Sequence, residues 1–196
     1  MVRRTLAVML VVLCCAASLA LAPPGGAQRG GRQTITGTVV SMSGRAASRS
    51  RPFSLIIKDY TSPSDVQTLN DALRKGEDEL LHALDKLEAG RIAIGNNVGV
   101  TANAVIRTPQ AEGGTKITVL FRRWLGMFEL RYGTRSSDYR FGYAEIILDD
   151  RGRGEGMFIP AARVRLRDGN TWEVEDFGTF PARLLGVRST GTVPAR

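Results

Sequence analysis

Thiols are almost absent from this chain. Its only cysteines are Cys14 and Cys15, adjacent and enclosed in one apolar run near the start. The chain from residue 28 onward therefore has no thiol for a disulfide framework, a thiolate metal site or a cysteine nucleophile. Histidine occurs once, at His82, which excludes the usual zinc ligand sets. A Ser-His-Asp triad would have to use His82, and no Gly-x-Ser-x-Gly elbow is present. These absences leave no cofactor to expect. Lysine is scarce too, at four of the 27 basic residues, so the formal charge of +8 is carried by arginine. Arginine forks suit phosphate, sulfate and carboxylate. Here, however, they are dispersed among acids, dense only in "GRAASRSR" and "FRRW", and they read first as the codon bias of a GC-rich genome. Nucleic acid is not an expected partner.

Beyond residue 22 no apolar run approaches the roughly 20 residues that a spanning helix needs. The first run is different. Met1-Val2-Arg3-Arg4 forms a basic start, Thr5 to Ala22 is apolar, and Pro-Pro-Gly-Gly follows at 23–26. That is the pattern of a secretory signal. Gly25-Gly26-Ala27 is a better cleavage site than Ala20-Leu21-Ala22, which would place Pro23 after the cut. Leu13 and Cys14 precede the two cysteines where a lipoprotein signal needs a small residue, so lipidation is not expected. The expected organisation is a signal at 1–27, a flexible lead-in at 28–33, one domain at 34–188 and a disordered tail at 189–196. The compartment is the periplasm or the exterior, with no transmembrane segment after cleavage.

Thr34 to Val40 alternates as a strand, and Phe53, Leu55 and Ile57 alternate in the next, which ends near Tyr60. At "TSPSD" the period changes. Ser62 is placed as an N-cap, Pro63 suits the first helical position, and Val66, Leu69 and Leu73 share one face up to Gly76. A second helix is expected from Glu77 to Glu88, with a stripe of Leu80, Leu81, Leu84 and Leu87 and a stop at Gly90. Further strands are expected at 91–95, 98–106, 115–123, 127–132, 139–148, 155–167, 171–176 and 182–188. One helical pair, about residues 63–89, among many strands means an α+β fold. Its core would be a mainly antiparallel sheet or partly closed β-barrel, with the pair packed against it.

Two hairpins can be registered from side chains alone. A three-residue loop at Asp168-Gly169-Asn170 sets Leu166 against Trp172, Val164 against Val174, Arg165 against Glu173 and Arg163 against Glu175. A slip of one residue would turn the arginines toward the core. The same rule applies to "LDDRGRGEG" at 148–156. With Asp150-Arg151-Gly152 as the loop, Leu148 faces Gly154 and Ile146 faces Gly156. Arg151 and Arg153 take the third and fifth positions of a would-be calcium loop, and the stretch leads into a strand rather than a helix. It is a turn.

Carboxylates Glu129, Asp138 and Glu145 are candidates for a glycosidase pair. The densest polar chemistry is "RYGTRSSDYRFGYAE" at 131–145, where aromatics interleave with arginines. Arg131, Tyr132, Arg135, Tyr139 and Arg140, together with Arg122 and Arg123, are the candidate ligand-binding residues. They suit an anionic envelope polymer or a small ligand.

The helical run "DVQTLNDALRKGEDELLHALDK", "TRSSDYRF", "LDDRGRGEG" and the closing "EVEDFGTFPARLLGVR" resemble a family of uncharacterised exported bacterial proteins, over about residues 34 to 188. The resemblance implies export and carries no activity. Three functions are therefore weighed: a non-enzymatic domain binding a ligand or envelope partner, a glycan hydrolase using scattered carboxylates, and a carrier of lipid or another apolar ligand in a hollow barrel. The exported form should begin near residue 28 and contain no thiol. N-terminal sequencing and thiol titration of the native protein check this, and a retained Met1 with both cysteines in an envelope fraction would overturn it.

Overall fold

The computed structural model describes residues 32–40, 50–123, 138–167, 171–176 and 181–191. The period-two stretches form strands β1 (Gln33–Val40) and β2 (Ser50–Ile57), whose inward residues Ile35, Val39, Phe53, Leu55 and Ile57 are buried. Two helices follow, α1 (Pro63–Lys75) and α2 (Glu77–Leu84). The Ser62 side chain accepts from the Asp65 amide and Pro63 takes the first turn, as the sequence led us to expect. The rest of the fold is β3 (Gly90–Ile94), β4 (Val100–Ala102), β5 (Ala104–Pro109), β6 (Thr115–Arg122), β7 (Phe141–Leu148), β8 (Arg153–Arg167), β9 (Thr171–Asp176) and β10 (Ala182–Thr190).

The strands form one antiparallel sheet in the order β4-β3-β2-β1-β10-β8-β7-β6-β5, with β9 paired to the far end of β8. Its two terminal strands, β4 and β5, are consecutive in the chain and separated only by Asn103. The sheet thus returns on itself as a nearly closed barrel, and the fold is α+β and mostly β. Ile35, Leu55, Ile92, Ile117, Val119, Ile146 and Leu184 fill the interior, so the barrel is packed rather than hollow along its length. Leu69, Leu80 and Leu84 of the helices lie on the outer wall against Leu120, Phe141, Ile159 and Val164. Each such fully buried side chain contributes roughly 1.5–3 kcal/mol, which is what fixes the helical pair to the barrel.

Both predicted registers are present. β8 and β9 pair Leu166 with Trp172, Val164 with Val174, Arg165 with Glu173 and Arg163 with Glu175. Residues 168–170 of that loop lie outside the described residues. In the other hairpin Leu148 pairs with Gly154 and Ile146 with Gly156. The Asp149 amide donates to the Arg153 carbonyl at 2.7 Å, and Gly152 closes the turn at φ 70°, a conformation that favours glycine. Asp149 Oδ1 accepts from the Arg151 and Arg153 amides. The nearby glycines serve close packing: a Cβ on Gly154 would lie 1.7 Å from the Ile147 carbonyl oxygen, and one on Gly156 2.2 Å from that of Glu145.

Several boundaries differ from the sequence reading. Helix α2 stops at Leu84 rather than Glu88, because the next turn tightens: the Leu87 amide donates to the Leu84 carbonyl at 2.9 Å. The expected strand 98–106 is broken at Asn103. β10 continues to Thr190, paired with Thr34, two residues past the expected domain end. The expected strand 127–132 lies outside the described residues.

The helix end and the strand break share one cause. Asn103 is the one buried polar side chain among the described residues, 7% exposed. Its Nδ2 donates to the carbonyls of Leu84 (3.0 Å) and Leu87 (3.2 Å), and its Oδ1 accepts from the Arg122 amide (2.9 Å). Replacing Asn103 with alanine strands the Leu87 carbonyl and the Arg122 amide, and takes one of two donors from the Leu84 carbonyl. Asn103→Ala should lower unfolding free energy by about 2–4 kcal/mol, while exposed Gln67→Ala should change it by less than about 0.5 kcal/mol. Urea denaturation of the two variants gives the comparison; equal midpoints would remove Asn103 from this role.

Candidate functional site

The barrel's two ends differ in chemistry. Along β6, Thr115 and Phe121 stand at opposite ends, about 20 Å apart at roughly 3.4 Å per residue. At the Thr115 end a recess of about 250 Å³ is lined by Gln33, Tyr60, Arg107, Asp149, Asp150 and Ser189, among others. Its polar groups are largely engaged with one another. Tyr60 donates to Gln33 Oε1 and Gln33 Nε2 to Ser189 Oγ, both at 2.6 Å. Arg107 lies 5.8 Å over the Tyr60 ring, and burial raises the Tyr60 phenol above its ordinary range. Asp150 Oδ1 accepts from the Gly114 amide at 2.8 Å. This end is a hydrogen-bonded seal.

The other end is apolar. A cavity of about 320 Å³ is lined by Ile92, Ile94, Val98, Val100, Phe121 and Phe158, and by Ala93, Asn97 and Gly99, among the described residues. Phe121 and Phe158 stack across it, with ring centroids 6.3 Å apart and planes 14° apart. The β3–β4 turn forms one lip, where Val98 is 84% exposed and Val100 40% exposed. Turns are ordinarily polar, so two valines in "NNVGV" were a legible signal of this lip, and the sequence reading passed over it.

The sequence candidates meet acids that lie far away in the chain. Arg122 Nη1 lies 2.6 Å from Asp85 Oδ2, and Arg140 is paired with Asp78. The Asp78 carboxyl is held below its usual range, first by the Arg140 hydrogen bond and then by its charge. The Arg123 amide donates to the Arg140 carbonyl, and Arg123 Nη1 to the Tyr139 carbonyl. Tyr139 donates to Glu175 Oε1 at 2.8 Å. Four of the candidates, Arg122, Arg123, Tyr139 and Arg140, thus lie together where β6, β7 and the helix pair meet. Arg131, Tyr132 and Arg135 lie outside the described residues.

The arginines of the β8–β9 hairpin find partners diagonally rather than directly across. Arg165 reaches Glu175 at 3.4 Å. Arg163 Nε approaches Glu77 Oε1 at 3.1 Å, outside hydrogen-bonding geometry, while its guanidinium lies 5.5 Å over the Tyr139 ring. Burial raises the Glu77 carboxyl, and Arg163, Arg140 and Arg165 oppose that rise.

Of the three carboxylates, Glu129 lies outside the described residues and Asp138 is exposed. Glu145 accepts from the Tyr143 hydroxyl at 2.9 Å and faces Lys116 at 3.6 Å. Burial, followed by Glu145, pushes the Tyr143 phenol far above its ordinary range. His82 is exposed on α2. Among the described residues no group of three His, Cys, Asp or Glu side chains is arranged to hold a metal ion.

Arg163 and Arg122 should separate structural from superficial pairing. Arg163 is mostly buried between a ring and a carboxylate, so Arg163→Ala should destabilise by about 1–2 kcal/mol. The Arg122–Asp85 pair is half exposed, so Arg122→Ala should cost less than about 1 kcal/mol. Denaturant midpoints measure both; a larger loss from Arg122→Ala would reverse the assignment.

Protein-family models, curated proteins and solved structures were each compared with the chain, and none matches it.

Proposed function

We propose that this chain is a binding domain whose ligand site is the apolar mouth of the barrel. The observation that carries the reading is the cavity between the Phe121–Phe158 stack and the exposed Val98–Val100 lip. Its volume falls at the lower end of the roughly 300–1,000 Å³ typical of small-molecule sites. Apolar surface held open to water at one place, above a packed interior, commonly marks a binding surface. The chemistry of the lining favours binding over catalysis, since the nine described residues around the cavity include no acid, histidine or hydroxyl. The glycan-hydrolase alternative draws no comparable support, because Glu145 is engaged by Tyr143 and Lys116. Export belongs to the same proposal. It rests on the basic and apolar pattern of residues 1–27 and on the resemblance to uncharacterised exported proteins.

The neutral dye N-phenyl-1-naphthylamine should brighten on titration with the protein. Val98→Asp places a charge on the lip at a position that packing does not constrain. It should weaken dye binding about tenfold while leaving the melting temperature unchanged. Ile147→Asp, an equivalent change at another exposed apolar residue of the barrel, should bind as the parent does. Equal dye affinity in parent and Val98→Asp would sink the proposal.

A further inference from the structure

The inward row of β2 does not end with the core. Phe53, Leu55 and Ile57 alternate into the barrel, and the next position in that row toward the mouth is Arg51, opposite Val39 of β1. Phe53 pairs with Ile94, a wall of the apolar cavity, and the Gly95 amide donates to the Pro52 carbonyl at 2.7 Å. That bond fixes the height of the rim. Arg51 therefore stands about 7 Å beyond Phe53, two residues along the strand, level with the turn that carries Asn97 and Val98.

The other arginines described around this end are occupied. Arg122 holds Asp85, Arg183 holds Glu155, and Arg91 Nη1 donates to the Val98 and Gly99 carbonyls. Arg51 is exposed and makes no ion pair among the described residues. No described residue lining the cavity is acidic. An apolar cavity with an exposed guanidinium near its rim, unpaired among the described residues, matches a ligand with an apolar body and an anionic end.

The geometry points to a small single-chain anionic amphiphile as the ligand, its chain against the Phe121–Phe158 stack and its carboxylate, sulfate or phosphate at Arg51. The inference rests on the apolar mouth being a binding site and adds the ligand's charge and size. At about 30 Å³ per water-sized group, the cavity's 320 Å³ admits about ten such groups, one medium-length chain. Arginine is suited to the head because its planar fork matches each of these oxyanions.

Displacement of N-phenyl-1-naphthylamine by three ligands of one chain length tests this: decanoate, 1-decanol and decylamine, each below its aggregation concentration at pH 7.4. Decyl sulfate serves as a second anion. In the parent protein, decanoate and decyl sulfate should displace the dye at lower concentration than decylamine, and added salt should shrink that difference. Arg51→Glu should shift the anion-to-cation affinity ratio about tenfold toward the cation, and Arg51→Ala about threefold, with decanol unchanged in both. Exposed ion pairs are individually weak, so the ratio is the sensitive readout. Displacement by decanol with no anion preference, and no change in the ratio in either variant, overturns the charge assignment and leaves the apolar site standing. Failure of the dye and of decanol to bind at all overturns the site itself, and the ligand class with it.

Discussion

The sheet returns on itself because its two end strands, β4 and β5, are consecutive in the chain, and the corner between them falls at Asn103. β4 pairs with β3 before the corner and β5 with β6 after it. The corner breaks the ladder, and a broken ladder inside a core leaves backbone groups that need partners. The Asn103 amide supplies them, giving one oxygen to the Arg122 amide of β6 and its nitrogen to the end of α2. Barrel closure, the stop of α2 and the docking of the helical pair are thus one hydrogen-bonded event. A leucine there would fit the surrounding hydrophobicity and leave the Leu87 carbonyl and the Arg122 amide unsatisfied.

Local patterns made much of the β structure legible. The β8–β9 and β7–β8 registers could be read because the side-chain period of a strand is two, and a slip of one residue exchanges every arginine with a core residue. The start of α1 could be read because Ser62 and Pro63 act on their own neighbours. Asn103 could not. It sits within the uniformly strand-like "VGVTANAVIR", and what breaks the strand is a pair of carbonyls at Leu84 and Leu87, on another element. The end of α2 was misjudged for the same reason.

The candidate site divides along the same line. Residue types could be chosen from sequence, but their neutralisation could not. Arg122 has no acid near it in the chain and Arg140 has Asp138 two residues away, yet the two meet Asp85 and Asp78 across 37 and 62 positions. The clustering of Arg122, Arg123, Tyr139 and Arg140 follows from β6 pairing with β7, which brings Arg122 opposite Phe141. The apolar mouth was hidden differently. Isolated exposed valines are unremarkable in a sequence, and acquire meaning only when a stacked pair of phenylalanines is found behind them.

The wall between the mouth and the helices is one strand thick. Phe121 faces the cavity while its neighbour Leu120 lies under the helical leucines, and Phe158 and Ile159 repeat the arrangement on β8. Inner and outer side chains hang from the same peptide units. A shift of β6 or β8 would therefore move the aromatic pair and the floor on which α1 and α2 rest together, as one sheet one strand thick.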